Sequence, residues 1–146
     1  MKSIIILLII GLSLSYNPSE AIKYARQYCS HYNPNFINYR PYGGDCANFV
    51  SQCLMKGGQS LNGCPGLDKK GSIPYVPNLR TCLKKKGWNF SKGVSKKFKA
   101  GYPFFDGNNH AMIATGVNGN KITYCGHTND RCDHKLVNNN FLYYYP

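Results

Sequence analysis

Apolar and polar positions alternate with three different textures along the chain. Ile4 to Ile10 form an unbroken apolar run. From Ser19 to Ser30, Ile22, Ala25 and Tyr28 or Cys29 return on one face, the spacing of a helix. Asn17-Pro18-Ser19 supplies the turn and a capping hydroxyl ahead of it, and Asn33-Pro34-Asn35 stops it. A second helix is predicted from Cys46, where Cys46, Phe49, Val50, Cys53 and Leu54 recur until Gly57-Gly58 ends the run. Residues 59–78 read as a Gly- and Pro-rich loop, followed by a short basic helix from about Pro77 to Lys86. Beyond Gly101 the period becomes that of strands. Tyr102 to Phe105, Ala111 to Val117, Lys121 to Cys125 and Phe141 to Tyr145 are rich in β-branched and aromatic residues. Asn118-Gly119-Asn120 marks a hairpin between two of them. Helices first and strands after is the order of an α+β domain, and 146 residues suffice for one core.

The opening segment changes the picture of where the protein works. Lys2, the apolar run and the small residues Ser13-Leu14-Ser15 have the layout of a secretory signal peptide covering 1–15, leaving a domain of 16–146. The run is far short of the roughly 18 residues that span hydrocarbon, and no later segment comes close. A protein secreted to the extracellular space, or delivered by the same route to a digestive vacuole or lysosome-like compartment, is expected, with no transmembrane segment after cleavage. Asn89-Phe90-Ser91, an N-glycosylation acceptor pattern, agrees with that route.

Charge narrows the partners less than it first suggests. Without Lys2, seventeen basic residues stand against six acidic ones, and the densest basic group runs from Lys84 to Lys99. Such a surface is drawn to polyanions. An anionic cell-wall surface is the expected partner and nucleic acid is not.

Seven cysteines occur: Cys29, Cys46, Cys53, Cys64, Cys82, Cys125 and Cys132. In an oxidising compartment three bridges would leave one thiol free. Proximity along the chain suggests Cys125 with Cys132 and Cys64 with Cys82. No CxxC pair is present, so neither a metal site nor a cofactor is expected.

Cys46 is the candidate for the free thiol. A thiolate is favoured at a helix N-terminus, where N–H groups and the helix dipole stabilise negative charge. The same N–H groups can hold an oxyanion. Gly43 and Gly44 would let a substrate backbone approach, and Asp45 is placed to cap the helix. Of four histidines, His110 opens the strongest strand directly after the polar turn Asp106-Gly107-Asn108-Asn109, which suits a rigidly held base. His127 ends the following strand, from where it could orient His110 through a hydrogen bond. Asn129 and Asp130 are alternatives for that third role. His31 and His134 lie in polar stretches and read as ordinary surface residues.

The stretch Gly43-Gly44-Asp45-Cys46-Ala47-Asn48-Phe49-Val50-Ser51-Gln52, with Tyr16-Asn17 and Ala21-x-x-Tyr24-Ala25 before it, resembles the amidase-domain family of papain-like hydrolases, akin to the NlpC/P60 and CHAP peptidoglycan hydrolases. His110-Ala111-Met112-Ile113-Ala114-Thr115-Gly116 and Gly126-His127-Thr128-Asn129-Asp130 resemble its second and third motifs. The resemblance implies a papain-like α+β core in which the cysteine-bearing helix packs on an antiparallel sheet. It also implies Cys46 as nucleophile, His110 as base and His127 as the residue that orients it, with Tyr42 and Asp45 near the oxyanion or substrate site. One departure is Gly101-Tyr102-Pro103, where relatives often carry Gly-Asp.

The function expected is therefore secreted, monomeric cysteine hydrolysis of amide or peptide bonds, foremost in bacterial peptidoglycan. Two alternatives stand beside it: the same site acting on proteins or other acyl amides, and a cationic, disulfide-rich antimicrobial or binding protein without turnover.

Overall fold

The computed structural model describes residues 15–138 and 140–146, so the signal-peptide reading falls almost wholly outside the described residues. Three helices pack on one six-stranded antiparallel sheet. The helices are α1 (Pro18–Tyr28), α2 (Cys46–Lys56) and α3 (Val76–Lys85), with a 3-10 turn over Arg40–Tyr42. The strands are β1 (Asn89–Lys92), β2 (Pro103–Asp106), β3 (His110–Asn118), β4 (Lys121–Gly126), β5 (Arg131–Lys135) and β6 (Leu142–Tyr145), in the order β1-β6-β2-β3-β4-β5. This is the expected α+β class, and each of the three helices lies within a few residues of its predicted span.

Alternation along the strands divides the core in two. Phe105, Ala111, Ile113, Cys125 and Tyr144 face the helices, where they meet Ala25, Phe49, Val50, Leu79 and Leu83. Phe104, Met112, Ala114, Ile122 and Tyr143 face the other way. They are covered by loop residues Val94, Phe98, Leu136 and Phe141. Both faces of the inner strands are thus covered, the helix side being the larger, while the edge strands β1 and β5 stay largely exposed.

The capping details differ from the sequence reading. Asn17, not Ser19, caps α1, its Oδ1 accepting from the N–H of Ser19 and of Glu20. Strands β1 and β5 were not predicted. Both are sheet edges, and β5 is exposed at every residue. Polar and charged side chains are what an unpaired edge needs in order to resist pairing with another chain, and they erase the apolar alternation by which a strand is read.

Two disulfides form. Cys64–Cys82 is as expected. Cys132, however, pairs with Cys29 rather than with Cys125. The pairing of β4 with β5 is irregular between Tyr124 and Gly126, and it sets the Asp133 N–H against Cys125 Sγ at 3.4 Å. Cys125 is left in the helix-side core while Cys132 meets the end of α1, where an Arg26–Asp133 ion pair at 3.1 Å makes a second link. Two bridges instead of three leave Cys46, Cys53 and Cys125 as buried free thiols. Disulfides of this kind place the protein in an oxidising, non-cytosolic compartment. Among the described residues no helix is long and apolar enough to cross a membrane.

Candidate active site

Helix α2 is buried around its whole circumference from Cys46 to Leu54, so its polar side chains must find partners inside the protein. Asn48 Nδ2 donates to the Ile37 carbonyl at 2.8 Å and to Asp45 Oδ1 at 2.9 Å, and its Oδ1 accepts from Ser72 Oγ at 2.6 Å. Ser51 Oγ accepts from the Ile73 N–H at 3.0 Å. Gln52 Oε1 accepts from Tyr24 Oη at 2.6 Å. One helix face therefore holds the 37–45 loop, the 68–73 loop and α1 in register around the N-terminus that carries Cys46. Tyr39 adds a strut, donating to Asp68 Oδ2 at 2.8 Å.

Asp45 occupies the N-cap position but its carboxylate does not cap the helix. Oδ1 accepts from the Tyr39 N–H at 2.9 Å and from Asn48, while Oδ2 lies 2.6 Å from His127 Nδ1. His127 Nε2 donates to the Tyr28 carbonyl at 2.7 Å. A carbonyl can only accept, so Nε2 carries a hydrogen, and a second hydrogen bridges Nδ1 and Oδ2. Asp45 and His127 are 1% and 2% exposed. The His127 ring is stacked on Phe49 with centroids 4.1 Å apart and lies against Tyr32 at 4.5 Å. The structure thus joins His127 to Asp45, not to His110.

With its carboxylate engaged elsewhere, Asp45 leaves the first-turn N–H groups of α2 to the sulfur. The backbone N–H groups of Ala111 on β3, of Ala47 and of Cys46 itself act on the sulfur electrostatically, each favouring the thiolate. The part played by Ala111 follows from the topology. Even-numbered residues of β3 bond towards β2, as the Ala114 N–H does to the Tyr102 carbonyl, so odd-numbered ones bond towards β4. Pairing with β4 begins only at Ile113 opposite Cys125, which leaves the Ala111 N–H without a ladder partner and free to act on the sulfur.

His110 is the residue before Ala111, its Cα one peptide, about 3.8 Å, from that of Ala111. It opens β3 and is half-buried. By strand alternation it shares the face of Met112, opposite the helices. Among the described residues its ring makes no hydrogen bond. Its cross-strand partner is Asp106, the last residue of β2. Burial lowers the His110 pKa from its ordinary value, and the Asp106 charge partly opposes that. For Cys46, which is 9% exposed, burial pushes the thiol up. The three N–H donors work against that rise and the Asp45 charge adds to it. At neutral pH both directions favour the uncharged forms, a thiol at Cys46 and a neutral imidazole at His110.

The remaining candidates are dispersed. Tyr42 is 77% exposed, its ring edge-on to Tyr39. Asn129 is exposed in the turn after β4. Asp130 is held by Arg40 Nη1 at 3.1 Å. Gly43 and Gly44 have φ of +106° and +132°, backbone that favours glycine, and Gly44 lies against the Thr128 hydroxyl. Thr128 itself takes a φ of +97°, rare for a β-branched residue.

The structure is thus an α+β domain with a free cysteine in the first turn of a buried helix packed on an antiparallel sheet. Comparison with known proteins takes this further: residues 15–100 match the family described as "Putative amidase domain", and the chain belongs to that family. It is similar to "Uncharacterized protein YhbB" of Bacillus subtilis (strain 168), with 29% identity over 89 residues. That alignment covers 61% of this chain, which spans only about a quarter (24%) of the relative's length. No solved structure gives a significant match. The family carries amide hydrolysis as the reaction class.

Proposed function

We propose that this protein is a secreted cysteine hydrolase of the papain-like type, cleaving amide bonds with Cys46 as nucleophile and His110 as base. The observation that carries the reading is the seat of Cys46, an unbridged cysteine opening the buried helix α2, whose thiolate is favoured by the N–H groups of Ala111, Ala47 and Cys46, Ala111 being the strand neighbour of His110. As the thiol attacks a carbonyl, its proton passes to the His110 imidazole. The N–H groups at the helix terminus stabilise the charge on the thiolate and then on the carbonyl oxygen. The protonated imidazole returns the proton to the leaving amine. Water then hydrolyses the thioester by the same route.

Bacterial peptidoglycan, through its stem peptides or cross-bridges, is the proposed substrate, because a chain with a formal charge of +12 is drawn to an anionic wall. Purified peptidoglycan and denatured casein, incubated separately with the wild-type protein and with Cys46→Ala, test the reading. New amine termini from peptidoglycan, abolished by Cys46→Ala at unchanged melting temperature, are expected. Release from casein alone would move the substrate to proteins. Wall binding and killing that persist in Cys46→Ala without cleavage would replace the enzyme by a cationic binding protein.

A further inference from the structure

The proposed base still needs a group to hold it, and the three residues that the sequence offered are otherwise placed. His127 uses both ring nitrogens on Asp45 and the Tyr28 carbonyl. Asp130 is paired with Arg40, and Asn129 is exposed in its turn. The sequence also put Asp106 inside the turn before His110, whereas the structure makes it the last residue of β2, directly opposite His110. That shift of one residue matters. Side chains of an antiparallel pair lie on the same face with Cβ atoms about 5 Å apart, within reach of a carboxylate and an imidazole.

We infer that Asp106 is the positioning residue of His110, its carboxylate fixing the orientation of the ring from the neighbouring strand. This rests on the reading of His110 as base. The hairpin that carries both residues is braced from outside: the Asn109 N–H donates to the Asp106 carbonyl at 2.9 Å. Arg80 of α3 donates to the Gly107 carbonyl at 3.2 Å, to Asn108 Oδ1 at 2.6 Å and to Tyr144 Oη at 3.0 Å. Two strands and a helix thus hold the pair in register. Of the charged groups around this hairpin, Asp106 is the one that acts on the His110 ring, and the Arg80 guanidinium is turned to the Gly107–Asn108 turn. A carboxylate held against one ring nitrogen fixes the tautomer and leaves the other lone pair to receive the thiol proton. Asp106 is exposed, so its hold is screened by solvent and acts through orientation more than through charge.

The test follows the His110 ring by NMR across pH in the full chain, alongside the iodoacetamide alkylation rate of Cys46, in wild type, Asp106→Asn, Asp106→Glu and His110→Ala. Because Asp106 is exposed, both of its variants should fold, and each melting temperature checks that. The expected result is a His110 titration midpoint lower in Asp106→Asn than in wild type, restored by Asp106→Glu. Alkylation near neutral pH should be several-fold slower in Asp106→Asn and slower still in His110→Ala. A His110 titration identical in wild type and Asp106→Asn would overturn the inference while leaving the base intact. A Cys46 alkylation rate and pH profile unchanged by His110→Ala would instead remove the base, and the inference with it.

Discussion

Replacing His127 by alanine is the perturbation that most directly asks what holds the Cys46 loop. His127 Nδ1 is 2.6 Å from Asp45 Oδ2, and both side chains are essentially inaccessible to water. Removing one partner of a buried pair leaves the other buried and uncompensated, which costs about 3–5 kcal/mol. The lost stacking on Phe49 and the lost contact with Tyr32 place the expected value towards the upper end of that range. Total stability of a small domain is about 5–15 kcal/mol, so a substantial part of the margin disappears. At roughly 4 °C per kcal/mol for a domain of this size, the melting temperature should fall by about 12–20 °C. Urea denaturation of wild type, Asp45→Asn, His127→Ala and the double variant closes a double-mutant cycle, with a coupling energy of about 2–3 kcal/mol expected. Arg26→Ala, which breaks an exposed ion pair with Asp133, serves as the control at under about 1 kcal/mol. If His127→Ala costs no more than that control, the buried pair does not anchor the loop, and the reasoning is refuted.

Three further outcomes are expected. Burial holds the Cys46 thiol above its ordinary value, so the thiolate fraction stays small at neutral pH and grows with alkalinity. Alkylation of Cys46 should rise about tenfold per pH unit from pH 7 towards 9, and a plateau already reached below pH 7 would indicate a preformed thiolate–imidazolium pair instead. The Cys29–Cys132 bridge closes a loop of 103 residues between α1 and β5, so replacing both cysteines by serine should cost about 4–5 kcal/mol. Peptide mapping of the non-reduced protein should return that bridge and Cys64–Cys82, and a Cys125–Cys132 peptide would contradict the fold at the β4–β5 edge.

What could be read from the sequence, and what could not, divides along a physical line. The helices and inner strands announce themselves because one-sided burial imposes a period on the residues that pay for it, as Ala21, Tyr24 and Ala25 do on α1, one residue away from the Ile22 that the spacing pointed to, and Met112 and Ala114 do against Ala111 and Ile113 on β3. Strands β1 and β5 bury no face and so carry no period. The same limit applies at the site. Cys46 at a helix start after Gly43-Gly44 and His110 at a strand start are local features, visible from their neighbours. Asp45 is not a local residue in this sense. A carboxylate in the N-cap position ordinarily caps, and only the arrival of His127, 82 positions away, and of the Tyr39 N–H turns it from the helix. The polar face of α2 had a signal of its own: between Asp45 and Lys56 the helix carries no charge, yet Asn48, Ser51 and Gln52 interrupt its apolar residues. Uncharged polar residues spaced through a helix that is otherwise apolar imply buried hydrogen-bond partners, but they do not say which. Ser72, Ile37, Ile73 and Tyr24 fill that role from three separate segments. The consequence is that the sulfur is positioned less by its own helix than by this set of long-range bonds. The helix terminus can then keep its N–H groups for the sulfur because the capping residue has been drawn into the interior.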